Sequence, residues 1–420
     1  MKNYEVKMGR GVQRWESPYD YFTPQPGQDG LCGAFPSIGE ALDHPIGSQP
    51  LEVLAMNARH MVIVVPDITR GWSHAPDMAK AVRERIAAVS GRPVTWLVST
   101  GQHRAVTEAD LPMVFGGAMM DGDDWISHDC DAATDTGLKT PMGTPVLLNQ
   151  AFIDADLAVL LGGIIHHDMA GFSGGRKNII PGVSGRLSII TNHCHCLKDG
   201  GLNPATDSAI LEGNPMAQDL YDYGVLATRG KSCFIVNTIA DKTGAPSAWV
   251  AGGLWDAWRA GTRAAVSLQT LWAPAKVKRV ISSCGGFPND LDLYQATKAV
   301  FSVIDSVEPD GALVMVADLE DSLGPGNFEN ALRRALVDPK DVLDEMAYAF
   351  TIPGYIAARL VIQLSGRPAA LVTSREDVPF PGAIFRDVQS ADRWLRDVSG
   401  TDGLSMLVPS GNSIHVAIQK

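Results

Sequence analysis

Three short, mainly apolar runs, the first of them unbroken, constrain this fold more than anything else in the chain. They read MVIVVP at residues 61–66, VTWLVS at 94–99 and LAVLLG at 157–162. A strand that is apolar on both faces belongs in a sheet covered on both sides, which is the setting of parallel strands. Helical spacing lies between the runs, at residues 76–89. A Thr-x-x-Asp start opens a short helix over 107–114. Further helices are predicted at 217–226 and 254–273, with a strand at 233–237 between them.

The alternation starts again after LWAPAK at residues 271–276, where a helix should end before a proline. Strands are predicted at 277–283, 312–317, 369–373 and 404–409. Helices are predicted at 291–303, 331–336, 341–349 and around Trp394. A chain of 420 residues exceeds what one core usually organises. The pattern predicts two Rossmann-like α/β domains with mostly parallel sheets and an active-site cleft between them. The N-terminal domain is expected over 1–273 and the C-terminal domain over 274–404, with 405–420 a candidate to rejoin the first. The first forty residues read as an irregular arm with a strand near Tyr4–Met8.

Charge and targeting signals narrow the function classes. The formal net charge is −12, so no basic surplus exists to neutralise nucleic-acid phosphates or an anionic membrane. Residues 1–20 are polar and carry charges throughout, unlike a secretory signal. No apolar run is long enough to span a bilayer. Six cysteines form no spaced framework, which points to a reducing, cytoplasmic setting. A small anionic substrate fits these limits. The sequence sets no oligomeric state.

Polar residues cluster where the strands end. Asp67 and Arg70 follow the first run, His103 the second, and a segment dense in glycine and histidine the third. That segment, residues 162–195, holds four of the ten histidines and seven glycines. Ligands of open α/β sheets bind beyond the carboxyl ends of the strands, so three loops deliver these groups to one edge. GFSGGRK departs from the P-loop pattern at Arg176 and Asn178. Gly171, Ser173, Gly174, Gly175 and Gly182 remain candidates to cradle one phosphate. Lys177 between them reads as a partly desolvated amine, able to pair with a phosphate or to bond covalently. His193 and His195 share a face if their segment is extended, and with His167 they would make a zinc trio. Cys194 and Cys196 read as small buried thiols. Arg70 suits bidentate binding of a carboxylate. Gln295 and Lys298 lie on one face of a predicted helix, with Tyr294 beside them.

In order, the motifs PDITR, TGQHR, HDMAGFSGGRKNIIPGVSG, NH, LEGNP and YQATK resemble the nickel-pincer lactate racemase family of 2-hydroxyacid racemases and epimerases, over nearly the whole chain. The resemblance implies a cofactor, pyridinium-3-thioamide-5-thiocarboxylic acid mononucleotide, holding nickel (Ni) through two sulfur arms. Cofactor-biosynthesis enzymes are then implied as maturation partners. By the same resemblance Lys177 tethers this nickel-pincer nucleotide, His193 ligates the metal, and His103 and His167 are the acid/base pair. Asp67, Arg70, Tyr294, Gln295 and Lys298 match positions near substrate or bases. Tyr355 is aligned with the distal substrate wall. The chain departs from the pattern at Gly71-Trp72-Ser73, His166 and HCHC.

The reaction implied is reversible hydride removal from a 2-hydroxyacid. A histidine takes the hydroxyl proton, and one histidine serves each enantiomer. Two other readings stay open from the residues alone. One is a zinc hydrolase using His167, His193 and His195. The other is a non-catalytic sugar-acid or nucleotide-binding protein.

Overall fold

The computed structural model describes residues 1–27 and 30–419. The contacts divide the chain into two units. One contains residues 30–196 together with Ala205–Gln269. The other contains Met1–Gly27, Leu197–Pro204 and the chain from Thr270 on.

The first unit is built on a six-stranded sheet. Its strands are β1 (Met61–Pro66), β2 (Thr95–Ser99), β3 (Asp124–Ser127), β4 (Leu157–Ile164), β5 (Ser232–Ala240) and β6 (Pro246–Gly253). The spatial order is β6-β5-β4-β1-β2-β3, parallel except for β6 against β5. All six residues of β1 and all eight of β4 are buried. The expected strands are therefore central ones, covered on both faces. Helix α1 (Ala75–Ala87) lays Met78, Ala79, Val82 and Ile86 onto one face, against Ile63, Val65, Trp96 and Val159. Its start carries Pro76 near the first turn, where a missing N–H costs nothing.

The second unit repeats the theme. Strands β7 (Val277–Ser283), β8 (Val307–Val316), β9 (Ala369–Val372), β10 (Ala383–Phe385) and β11 (Ser405–Val408) form a sheet of order β10-β9-β8-β7-β11, completed by Tyr21–Phe22. Every pairing in it is parallel. Both units are thus α/β with mostly parallel sheets. No helix of the described residues is long and apolar enough to cross a membrane.

Three sequence expectations are corrected. The strand near 404–409 does not rejoin the first unit, because Arg279 to Ser282 pair with Ser405 to Val408 inside the second sheet. The N-terminal arm is an ordered hairpin, Lys2–Met8 against Gly11–Ser17, and belongs to the second unit. Its Val6 and Trp15 join a core with Val314 and Leu395. The helix expected over 254–273 stops at Gln269, and Thr270–Ala273 is a strand beside His415–Ile418. The β-branched Thr270 and the aromatic Trp272 suit that strand.

A buried ion pair closes the far side of the first sheet. Arg83 on α1 donates through Nε and Nη2 to Asp123, both at 2.9 Å, and the paired side chains are 5% and 0% exposed. Asp123 also accepts from Val94 N, Trp96 Nε1 and Met120 N. We expect Asp123→Ala to lower the unfolding free energy by about 3–5 kcal/mol, because Arg83 would be left buried without its counter-charge. Urea unfolding followed by tryptophan fluorescence measures the loss.

Candidate active site

The carboxyl ends of β1, β2 and β4 carry the reactive side chains. After β1, Asp67 caps a 3-10 turn, Ile68–Ser73, by accepting from Thr69 N at 2.9 Å. The same carboxylate, nearly buried, accepts a hydrogen bond from His103 Nδ1 at 2.6 Å. His103 stands on the loop after β2, with its side chain 46% exposed. Burial opposes the charge on Asp67, but hydrogen bonds from His103 and Thr69 outweigh it and hold the carboxyl below its usual range. A carboxylate can only accept, so the His103 proton sits on Nδ1 and Nε2 keeps its lone pair. Asp67, matched to the cofactor surroundings by sequence, here fixes the tautomer of His103. Arg70, on the same turn, is exposed.

After β4 the chain turns back in a short hairpin, His166–His167 against Gly171–Phe172. The His167 ring accepts at Nδ1 from Met169 N and Ala170 N, both at 3.2 Å. Its Nε2 lies 3.0 Å from Lys177 Nζ. Lys177 follows on a 3-10 turn, Gly175–Asn178. Burial, reinforced by the charges of Arg176 and Arg70 and opposed by Asp168, brings the Lys177 amine down to about 7.

His193 lies in the last turn of α2 (Arg186–Cys194) and is 2% exposed. Its Nδ1 donates to Ile189 O at 2.7 Å, which leaves a lone pair on Nε2. Burial, then the charge of Lys177, pushes its pKa down to about 3. The imidazole is neutral at any physiological pH, as a metal ligand must be.

Several expectations change. His193 and His195 do not share a face, because the segment is helical and His195 caps it. His195 Nε2 instead lies 3.5 Å from buried Asp219. His167, His193 and His195 do not converge as metal ligands. Among the described residues, the trio close enough to share an ion is Asp129, Cys130 and Asp131, where Asp131 is taken by Arg186 at 2.6 and 2.7 Å. The geometry gives no support to a zinc hydrolase. HCHC contributes Cys194, half-buried, and Cys196, buried.

The glycines of the expected phosphate cradle are explained by packing within the protein. At Gly174, with φ +71°, an added Cβ would come within 2.6 Å of Ile164 and 2.8 Å of Asn237. At Gly182 it would meet the Asn178 carbonyl at 2.1 Å, and at Gly171 the Ile210 carbonyl at 2.5 Å. At Gly175 it would meet Trp258 at 2.7 Å. The Ser173 hydroxyl is engaged by the backbone of Gly163 and Ile165. These residues shape the loop that presents Lys177. Trp72, where the chain departs from the family pattern, packs over Gly163, which has no room for a Cβ.

Buried polar side chains to which sequence reasoning gave no structural role hold this loop. Asn237, inside the apolar run of β5, accepts from Gly175 N at 2.8 Å. Asn178 donates to Leu161 O at 2.6 Å. Buried His128 donates through Nε2 to Ser184 O at 3.0 Å. A lone amide inside CFIVNTIA was the available signal, since buried polar groups need partners.

The remaining predicted residues lie in the second unit. Lys298 Nζ donates to Gln295 Oε1 at 2.7 Å. Tyr294 sets its ring edge-on to Phe328. Tyr355, aligned with a substrate wall, is instead 1% exposed within helix α5 (Ile352–Leu364, counting α3 as Pro215–Ala227 and α4 as Asp256–Gln269) and offers a ligand almost no surface.

Comparison with known proteins places the chain in a family. The lactate racemase N-terminal domain profile matches residues 32–203, and the C-terminal domain profile matches 273–352. The lactate racemase of Lactiplantibacillus plantarum is 31% identical over 314 residues, covering 74% of this chain and 72% of that protein. The chain belongs to the lactate racemase family. A second lactate racemase, from Thermoanaerobacterium thermosaccharolyticum, is 27% identical across 90% of this chain and 89% of its own length. The solved lactate racemase apoprotein from that organism shares the fold, with a TM-score of 0.87, 24% identity and coverage of 99% and 100%. A Thermotoga maritima protein superposes at a TM-score of 0.65 and 14% identity, covering 88% of this chain and 96% of its own. The chain is accordingly an isomerase of the racemase type.

The neutral histidines predict a pH response. Burial lowers the His128 pKa as well as that of His193. Unfolded histidine has a pKa near ~6.5. Above that value both states are neutral and this contribution is constant. As pH falls below it the unfolded chain binds protons first, so stability drops toward the folded-state value of about 3 for His193. We expect urea midpoints of cofactor-free protein to fall steadily from pH 6.5 to 4.5, beyond the gentler fall that the lowered Lys177 amine already gives from pH 8 to 7. In a His128→Gln variant the fall should be shallower.

Proposed function

We propose that this protein racemises or epimerises a 2-hydroxyacid, lactate-like or a sugar acid, using a nickel-pincer nucleotide. The observation that carries this reading is the grouping of Lys177, His193 and the His103–Asp67 pair at one edge of the first sheet. The donor set fits the cofactor. The Lys177 amine is enclosed and poised near neutrality, and His193 keeps an Nε2 lone pair within a buried helical turn. An imidazole beside sulfur ligands suits nickel. Lys177 would attach the group and His193 would ligate the metal. When bound, the cofactor supplies a reversible acceptor for the hydride on C2.

The chain's own residues do the rest. His103, held in its Nδ1–H tautomer by Asp67, takes the hydroxyl proton at Nε2 as the C2–H bond breaks. The planar 2-oxoacid that results can receive hydride on either face. His167 serves the opposite enantiomer. Arg70 would hold the carboxylate through two parallel N–H···O bonds. Production of active protein would then require the cofactor-biosynthesis enzymes as partners.

Coexpression with those enzymes, followed by a screen of D- and L-2-hydroxyacids and aldonic acids by chiral chromatography, tests the reading. One substrate should interconvert, and His103→Ala and His167→Ala should each lose about 10²–10⁴-fold in kcat with nickel retained. Full activity in both variants would remove the histidines from the mechanism. Tight binding of every candidate acid without turnover by nickel-loaded protein would favour a binding protein instead.

A further inference from the structure

Lys177 sits in surroundings that favour an uncharged amine. The His167 ring already accepts two backbone N–H groups at Nδ1, from Met169 and Ala170. In a neutral imidazole the remaining nitrogen then carries the proton. That nitrogen, Nε2, is the one 3.0 Å from Lys177 Nζ. Since Nε2–H is a donor, Nζ must accept, and an ammonium has no lone pair with which to do so.

A second, independent feature points the same way. Arg176 adjoins Lys177, and its guanidinium is 1% exposed. It lies 3.8 Å above the Trp258 ring and donates through Nη2 to Ala170 O. Its Nη1 meets no hydrogen-bond partner among the described residues, and no carboxylate pairs with it there. Arg176 thus presents an unneutralised positive charge beside Lys177. The groups that act on the amine are Arg176 on its own turn, Arg70 from the turn after β1, His193 from α2, and His167 and Asp168 from the hairpin. Only Asp168 among them favours an ammonium.

We propose that Lys177 in the cofactor-free protein is a neutral amine that captures activated acyl groups, with His167 donating to its lone pair and Arg176 opposing its protonation. An acyl phosphate is the simplest donor. Nζ attacks the carbonyl carbon, the new C–N bond forms, and the C–O bond to phosphate breaks with its electron pair leaving on phosphate. One Nζ proton departs to the phosphate or to water, and the product is an amide. Because the amine is already uncharged, the amide removes no buried charge. The inference deepens the attachment role proposed for Lys177: an acylated Lys177 has no nucleophile left, so cofactor-free protein exposed to acyl donors would be withdrawn from maturation.

The test uses the full-length cofactor-free protein and limiting acetyl phosphate between pH 6 and 10, with peptide mass spectrometry of each lysine. An ordinary lysine, with a pKa near ~10.4, is about 0.1% neutral at pH 7.5. Lys177 should acetylate at least ~10-fold faster than exposed Lys80 and Lys139 at that pH, with a rate that levels off near pH 7 to 8. Arg176→Gln should move the levelling-off to higher pH. Long-range ¹H–¹⁵N spectra should show His167 with its proton on Nε2. A Lys177 rate that is no greater than that of Lys80, or that climbs in parallel with it to pH 9.5, overturns the proposal. A His167 proton on Nδ1 overturns the donor arrangement. Failure here is separable from failure of the racemase reading, which nickel content and turnover of the mature protein decide on their own.

Discussion

The parallel pairing of β4 with β1 and β5 is the constraint on which the rest depends. Leu157 to Leu160 run beside Met61 to Val64, and Leu157 to Ile164 run beside Ser232 to Ile239. Parallel strands end at the same edge, so the turn after β1 and the hairpin after β4 emerge together. Asp67, Arg70, His167 and Lys177 owe their proximity to that pairing. β2, parallel to β1 out to Ser99 beside Pro66, delivers His103 to the same edge. The helical position of His193 is set separately, by α2. A one-sided or antiparallel sheet built from the same segments would scatter these groups.

Electrostatics then divides the work among similar side chains. Of three histidines, one is held by a carboxylate, one by two backbone amides and one by a helical carbonyl. Each partner fixes where the ring proton sits. The result is one ring with an open Nε2, one whose Nε2 faces Lys177, and one buried and neutral. The lysine is tuned by desolvation and by two arginines rather than by one partner. No single residue type in the segment from Gly162 to His195 declares its role; the neighbours do.

Much of this was legible in the sequence because parallel strands write themselves as unbroken apolar runs. β1 begins and ends where its run does, and β7 keeps the bounds expected for it, 277–283. The reactive groups at strand ends were legible for the same topological reason. The strands at 21–22 and 405–408 were assigned no place or the wrong one, because pairing between distant segments leaves no local mark. The glycines misled: a positive φ and close backbone packing require glycine as strictly as a phosphate does, and the sequence cannot separate the two. His193 and His195 misled because spacing fixes a shared face only once helix or strand is known. The hydrogen bond of Asp67 to His103 left no mark in the sequence, because it depends on two loops meeting.

The central claim is that Lys177 and His193 hold a nickel-bearing nucleotide in the first unit. Intact mass and nickel content of protein coexpressed with the cofactor-biosynthesis enzymes test it most directly. The account predicts an added covalent mass on Lys177 with about one nickel per chain, loss of the mass in Lys177→Ala, and loss of nickel with the mass retained in His193→Ala. Unmodified protein that carries zinc, or nickel that persists undiminished in both variants, would contradict it.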